Sequence, residues 1–416
     1  MILDCSRFVG PCVCGRSHQL ETKIVVVEHG ALRRFEEYME EVGLAGLRRT
    51  VIYDSNIYAL AGERRVKADQ EIILPTQGLR SEDRLIEEMM EQLDEPGVLV
   101  AFGAGTIMDF ARYPAFKLGL PFVAIPTLAS ADGFTASICS AIIDGHKKST
   151  RMKAPQLVVA DLDIIQGAPL RMVTSGINDI LAKYVSLTDW KISALVAGED
   201  YCPMIGALTQ EALDTMRSAA DRFAATGVAD HEAMTLAQML SGLTMQLWDS
   251  SRAASGAEHL IAHLVEMHPP RFEHAEGTHG ECVGVGTFAC CKEYHRLAGL
   301  RPRARAFAPL KKAWIEDKFG PELSEGIVLE NQDDVLARFP AQNAVDRWDE
   351  VCALIRAIPK PEELEALYRA CGCKYLPEHI GIDPALSGEM LEISAAIRNR
   401  LTLIRLKRVL DFDEAN

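Results

Sequence analysis

Three side chains far apart in the chain, Asp179, His259 and His279, have the types and settings of one divalent-metal site. Asp179 closes Ser175-Gly176-Ile177-Asn178-Asp179. His259 closes Ser255-Gly256-Ala257-Glu258-His259, with His263 one helical turn further on, and His279 opens His279-Gly280-Glu281. One carboxylate and two imidazoles leave coordination positions open. That donor set suits a catalytic ion that must take a substrate oxygen, whereas structural zinc closes its shell with four protein ligands, often cysteines. Zinc, nickel and ferrous iron all accept such a set.

Two stretches look able to position a nucleotide. An apolar run at 97–102 leads into Gly103-Ala104-Gly105-Thr106-Ile107-Met108-Asp109 and then a helical pattern. Glycines at such a turn let the backbone approach a pyrophosphate, and the helix N-terminus offers free N–H groups and a positive dipole. A glycine pair after a strand is equally a plain tight turn. Asp54 ends an earlier apolar run, where a carboxylate can bind an adenosine ribose and repel a 2′-phosphate, favouring NAD over NADP; capping a loop is the plainer role. The segment 125–133 adds Thr127, Ser130 and Asp132, which either face a ligand or only satisfy a polar turn.

The elements behind these residues follow from periodicity. Apolar, β-branched runs at 23–27, 50–54, 71–74, 97–102, 122–125 and 157–160 alternate with helical spacing at 29–41, 81–93 and 106–118. Such alternation predicts a parallel sheet covered on both faces. Beyond Pro169 the strand signal fades, and 177–197, 204–226, 232–249, 258–267, 282–297, 344–355, 361–370 and 387–400 read as helices. The expected organisation is an α/β dinucleotide-binding domain at 1–169, with a Cys/His-containing arm at 1–22, then an all-helical metal- and substrate-binding domain at 170–416.

Composition bounds the function. The chain has 416 residues, a formal charge of −15 and 48% hydrophobic residues. That is enough for two domains, and the negative charge argues against a nucleic-acid partner or an anionic membrane surface. No apolar run is long enough to span a bilayer, and the first twenty residues lack the apolar block of a secretory signal, so a cytoplasmic location is expected. Eleven cysteines in such a setting are expected as thiols. Cys5, Cys12, Cys14 and His18 could ligate a small structural zinc, but the spacing is not a standard finger, and an arm with incidental thiols is the simpler reading. The many apolar helices fit either a homo-oligomer surface or a large helical core.

Taken in order, Gly-x-Gly-Thr-x-x-Asp at 103–109, Pro-Thr-x-x-Ser-x-Asp-Gly at 126–133, Gly-x-Asn-Asp at 176–179, Ser-Arg-x-x-Ser-Gly-x-Glu-His at 251–259 and His-Gly-Glu at 279–281 resemble the sn-glycerol-1-phosphate dehydrogenase family. That family lies within the glycerol dehydrogenase and dehydroquinate synthase superfamily, and the likeness spans residues 23–300. The resemblance implies a dehydroquinate synthase-like fold with the active site between a nicotinamide domain and a helical one. It assigns Gly103, Gly105, Thr106, Asp109, Thr127 and Ser130 to the dinucleotide, Asp132 to the glycerol part of the substrate, and Asp179, His259 and His279 to the metal. His263 then touches the substrate and relays a proton, Asp179 also faces the substrate, and Arg252 matches an arginine that holds substrate in the synthase branch. Lys147, Lys148 and Lys153 are further phosphate candidates.

The family places a serine four residues after the position of Asp132; this chain has Ala136 there and Ser137 next, so either the loop shifts by one or that contact is lost. The implied reaction is reversible, metal-dependent reduction of dihydroxyacetone phosphate to sn-glycerol 1-phosphate by NAD(P)H, supplying a backbone for ether-type or related lipids. A neutral-polyol dehydrogenase, a carbocycle-forming lyase of the dehydroquinate synthase type and a catalytically silent binding protein are the alternatives. Arg252 leans against the first, Asp179 in place of a glutamate against the second, and the complete ligand set against the third.

Overall fold

The computed structural model describes residues 1–143 and 146–413. Contacts divide it into two compact units: Met1–Gly176 with Asp214–Ala219 and Ala229–Ser251, and Ile177–Leu213 with Ala220–Val228 and Arg252–Asn416. The first division falls at 176/177 rather than after 169, and the chain returns to the first unit to add helix His231–Trp248. Periodicity identifies that helix but not the unit it packs into, because its apolar face fits either core.

The first unit is built on a seven-stranded sheet in the order Ile2–Asp4, Ile24–Glu28, Leu157–Asp161, Phe122–Pro126, Val98–Gly103, Arg49–Asp54, Gln70–Leu74. Six of these strands match the apolar runs read from the sequence and pair in parallel. The seventh, Ile2–Asp4, pairs antiparallel at the edge and is too short to show a pattern. Central strands are buried along their whole length, as burial on both faces requires. On one face Val26, Val51, Val100, Phe102 and Val159 pack against Phe35, Tyr38 and Met39. From Arg49–Asp54 the chain moves outward to Gln70–Leu74, but from Val98–Gly103 it turns the other way to Phe122–Pro126. Those two neighbours mark the reversal of strand order, and ligands of open α/β sheets bind beyond the carboxyl ends of strands at such a point. Asp54 and Gly103 are those ends.

The second unit is mainly helical. Among the described residues its exception is a two-stranded ladder, Pro302–Ala304 with Leu410–Phe412, in an otherwise helical region. Helices Ala257–Glu266 and His279–Ala298 lie against each other, and two glycines in the latter set how closely neighbours approach. A Cβ at Gly286 would stand 2.3 Å from the Glu258 carbonyl oxygen, and one at Gly284 would stand 2.2 Å from the Asn178 side-chain nitrogen. Only hydrogen fits at either place. The segment 177–197 is two helices, Leu170–Leu181 and Lys183–Ala197, rather than one. Lys312–Glu330, two helical stretches divided at non-helical Gly320, escaped the periodicity reading because the break interrupts the apolar stripe.

Candidate active site

In the second unit the ligand atoms of Asp179, His259 and His279 lie within 4.8 Å of one another. Asp179 sits in the last turns of Leu170–Leu181, His259 in the first turn of Ala257–Glu266, and His279 is the first residue of its helix. Thr278 and Glu281 form a reciprocal capping box around that start, which pins the rotation at which His279 leaves the helix. The close approaches at Gly284 and Gly286 hold the three helices together at this level.

Two glutamates orient the imidazoles. His259 Nδ1 lies 2.7 Å from Glu258 Oε1, and His279 Nδ1 lies 2.7 Å from Glu266 Oε1. A carboxylate accepts, so each Nδ1 carries a proton and each Nε2 is the nitrogen available to a metal ion. His259 Nε2 already points at Asp179 Oδ1, 3.3 Å away. Asp179 is completely buried, which by itself would raise its pKa, but Lys183, His259 and His279 hold the carboxyl well below the ordinary range. Lys183 is equally buried, with Nζ 3.5 Å from Asp179 Oδ1 and 2.9 Å from the Ala254 carbonyl oxygen. His263 shares the cluster, its ring centroid 6.0 Å from that of His279 and its Nδ1 3.4 Å from Glu266 Oε2. Burial above all, with the charges of Arg398 and His279, pushes its pKa down to about 3 despite Glu266, so the ring is neutral.

In the first unit, helix Gly105–Leu118 starts from Ala104 with no side-chain cap and no acidic residue in its first turn. A Cβ at Gly105 would meet nothing within 4 Å, whereas one at Gly103 would collide with Ile107 at 2.7 Å. Gly103 is thus a packing glycine and Gly105 the one facing open space, where Thr106 follows it in the first turn. Thr127 Oγ1 and Ser137 Oγ are both buried and have no hydrogen-bond partner among the described residues. Ser137 thus presents a buried, unpartnered hydroxyl one residue beyond Ala136. Ser130 accepts Ser175 Oγ through its backbone carbonyl at 3.3 Å. Asp132 Oδ2 accepts Ser241 Oγ at 2.7 Å, and Ser241 lies on helix His231–Trp248.

Similarity to known proteins agrees with this geometry. A model of the family described as iron-containing alcohol dehydrogenase matches residues 26–169. A glycerol-1-phosphate dehydrogenase (NAD(P)+) of Halalkalibacterium halodurans is 31% identical, with 97% of this chain and 97% of that protein covered. The chain belongs to the glycerol-1-phosphate dehydrogenase family. A second relative of the same description, from Geobacillus stearothermophilus, is 30% identical over 97% of this chain and 96% of its own. Among solved structures, a probable glycerol dehydrogenase from Sinorhizobium meliloti superposes with a TM-score of 0.61 at 19% identity, covering 95% of this chain and 94% of its own. That likeness establishes the shared fold.

For a glycerol-1-phosphate dehydrogenase family member, the residues present fit both groups the reaction needs. A buried carboxylate with two pre-oriented Nε2 donors suits a divalent ion. The uncapped helix start, open space at Gly105 and two orphaned hydroxyls suit a dinucleotide. Three expected residues also have partners within the fold. Asp54 Oδ1 caps the next helix through Asn56 N–H and Ile57 N–H at 2.9 and 3.0 Å. Asp109 accepts Ser81 Oγ at 2.7 Å and Arg112 Nη1 at 2.9 Å, so it braces the turn. Arg252 is 3% exposed, and its Nε–Nη2 edge is taken by Glu199 at 2.8 and 3.0 Å, with Leu401 O at 2.9 Å. A carboxylate thus already occupies one edge of the fork. Lys153 pairs with Glu21 at 3.1 Å, while the side chains of Lys147 and Lys148 lie outside the described residues.

Sequence reading missed Glu258, Glu266, Lys183, Arg398 and Arg400. Glu258 directly precedes a ligand, Glu266 follows His263 by three, and Lys183 follows Asp179 by four, so helical spacing was the available signal. No local signal marks Arg398 and Arg400. They lie after helix Ser387–Ser394, where a longer helix to 400 is the expectation from pattern.

Proposed function

We propose that this chain reversibly reduces dihydroxyacetone phosphate to sn-glycerol 1-phosphate with NAD(P)H, using one divalent ion held by Asp179, His259 and His279. The observation that carries the proposal is the convergence of those three residues, each imidazole braced by its own glutamate, in a chain of this family. When bound, the ion supplies Lewis acidity at the oxygen of the substrate's central carbon and the reduced nicotinamide supplies the hydride.

The side chains do the rest. Lys183 keeps Asp179 ionised in a site where burial would otherwise neutralise it. Neutral His263, held beside Glu266, passes a proton between the substrate hydroxyl and solvent rather than standing as a charged acid. Asp132, fixed by Ser241, is the assigned contact to the glycerol part. Thr127, Ser130, Ser137 and the Gly105–Thr106 turn are assigned to the dinucleotide, and Asp54 to discrimination against a 2′-phosphate.

For the substrate phosphate, the reading shifts from Arg252 to Arg398 and Arg400. Burial, followed by the neighbouring Arg252 and Arg398, lowers the pKa of Arg400 to about 9. Arg398 is also close enough to His263 to depress its pKa. Mutually repelling guanidinium groups beside the substrate-facing histidine are relieved by a dianionic phosphate.

Purified protein with NADH should turn over dihydroxyacetone phosphate in a chelator-sensitive reaction, and a stereospecific assay should identify the product as the 1-phosphate. Turnover of free glycerol with none of the phosphorylated ketone would replace this reading with the neutral-polyol one.

A further inference from the structure

A second group of metal-ligating side chains converges in the N-terminal arm of the first unit. Gly10–Pro11 pairs antiparallel with Ser17–His18. The turn between them is tied by Cys12 N–H to Arg16 C=O and by Gly15 N–H to Cys12 C=O, both at 2.9 Å. Gly15 adopts φ +85°, a region glycine occupies without strain, so the chain reverses immediately after Cys14. The reversal leaves the ligand atoms of Cys12, Cys14 and His18 within 4.8 Å of one another. Cys5 does not join them: it is wholly buried, donates to the Leu3 carbonyl at 3.8 Å, and burial pushes its thiol up to about 12.

His18 is the informative member. It is 2% exposed, and its Nδ1 lies 2.9 Å from the Leu247 carbonyl oxygen. A carbonyl can only accept, so Nδ1 carries a proton and Nε2 is the nitrogen that faces Cys14 Sγ, 3.4 Å away. A backbone carbonyl on the far nitrogen is how proteins orient a metal-bound imidazole. Zinc–sulfur and zinc–nitrogen bonds of about 2.3 and 2.1 Å at a tetrahedral angle put the two ligand atoms about 3.6 Å apart. The Cys14–His18 separation is close to that. A single S–H···N hydrogen bond would account for this one distance but not for Cys12 beside it.

We propose that Cys12, Cys14 and His18 supply three of the ligands of a zinc ion, two thiolates and one imidazole, at a site separate from Asp179, His259 and His279 and independent of the reaction assigned to them. Its role is mechanical. The carbonyl that orients His18 belongs to the C-terminal end of helix His231–Trp248, and Arg16 in the same turn lies 4.0 Å from the ring centroid of Trp248. That helix also supplies Ser241 to Asp132, Gln238 to the Ala129 carbonyl and Gln246 to the Thr135 carbonyl. The ion fastens the arm to the helix that braces the loop assigned to cofactor and substrate.

Cobalt(II) exchange separates the two sites, because only thiolate ligands give a near-ultraviolet ligand-to-metal charge-transfer band. The band should appear in the wild-type protein and in His279→Ala, and should vanish in the Cys12→Ser/Cys14→Ser double variant, which should also lose one equivalent of zinc per chain by plasma mass spectrometry. Both substituted thiols are only partly buried, so the double variant is expected to fold. Should it not, wild-type protein titrated with a mercurial in the presence of a zinc-sensitive dye gives an independent readout: thiol capture should release zinc. Absence of the band in wild-type protein, its persistence in the double variant, or thiol capture without zinc release would reduce the cluster to an S–H···N hydrogen bond.

Discussion

The two units prepare for their ligands in opposite ways. In the second, the residues assigned to the metal are fully braced from behind: Glu258 and Glu266 orient the imidazoles, Lys183 sits under Asp179, and Asp189 anchors the helix that carries His259 and His263. In the first, the turn assigned to the dinucleotide keeps groups unsatisfied, with the hydroxyls of Thr127 and Ser137 buried without partners and the Gly105 helix start uncapped. Coordination tolerates little error in ligand direction, so its site must be rigid before the ion arrives. A dinucleotide brings its own donors and acceptors, so its site must leave some open.

If that contrast is right, the largest effect comes from removing a braced ligand. His279→Ala should abolish bound metal at this site and lower kcat by about three orders of magnitude or more; full activity in this variant would remove the assignment. Next, Glu266→Gln should weaken metal affinity and activity by about 10- to 100-fold, recoverable in part by excess metal. A variant indistinguishable from wild type in a metal titration would mean the bracing is ornamental.

Asp189 tests the cost of bracing. Burial, reinforced by Glu258, raises its pKa to about 6 against hydrogen bonds from Leu403 N–H and Tyr294 and the charge of Arg252, while its Oδ2 accepts Ala257 N–H at 2.9 Å. The folded value lies above the unfolded one, so this group's contribution is most favourable below the unfolded pKa of about 4 and declines as pH rises toward 6, by about 3 kcal/mol. Asp189→Asn should flatten that segment of the stability–pH curve, measured by denaturant unfolding between those limits. An unchanged slope would show that Asp189 titrates normally.

The smallest effect belongs to the open site. Thr127→Val should raise KM for NADH about fivefold, the worth of one hydrogen bond, without lowering Tm, because the hydroxyl has no partner to lose. A lowered Tm with unchanged KM would place Thr127 in the scaffold instead.

How much of this was legible beforehand varied with the range of the interaction. Apolar alternation located the six parallel strands, since strands buried on both faces must be apolar along their length. The glycine turn, the hydroxyl loop and the three metal-competent residues were recognisable by type and order. Nothing local reveals that Glu199 and the Leu401 carbonyl reach Arg252 from distant segments. Asp54 and Asp109 were read toward a ligand, yet each is also engaged by neighbours in the fold. For Cys5, a place in a four-residue cluster was suggested by nearness in the chain, and complete burial took it away.

Residue type and spacing alone therefore determined the fold class, the family likeness and the candidate donors Asp179, His259 and His279, because periodicity and side-chain chemistry are local properties. Only the tertiary structure decided how those donors are aimed and which cations are already spent. It also decided that helix His231–Trp248 serves the first unit and that Gly284 and Gly286 set the helix spacing. Each of those depends on which surfaces meet, and that follows from packing the whole chain rather than from any segment of it.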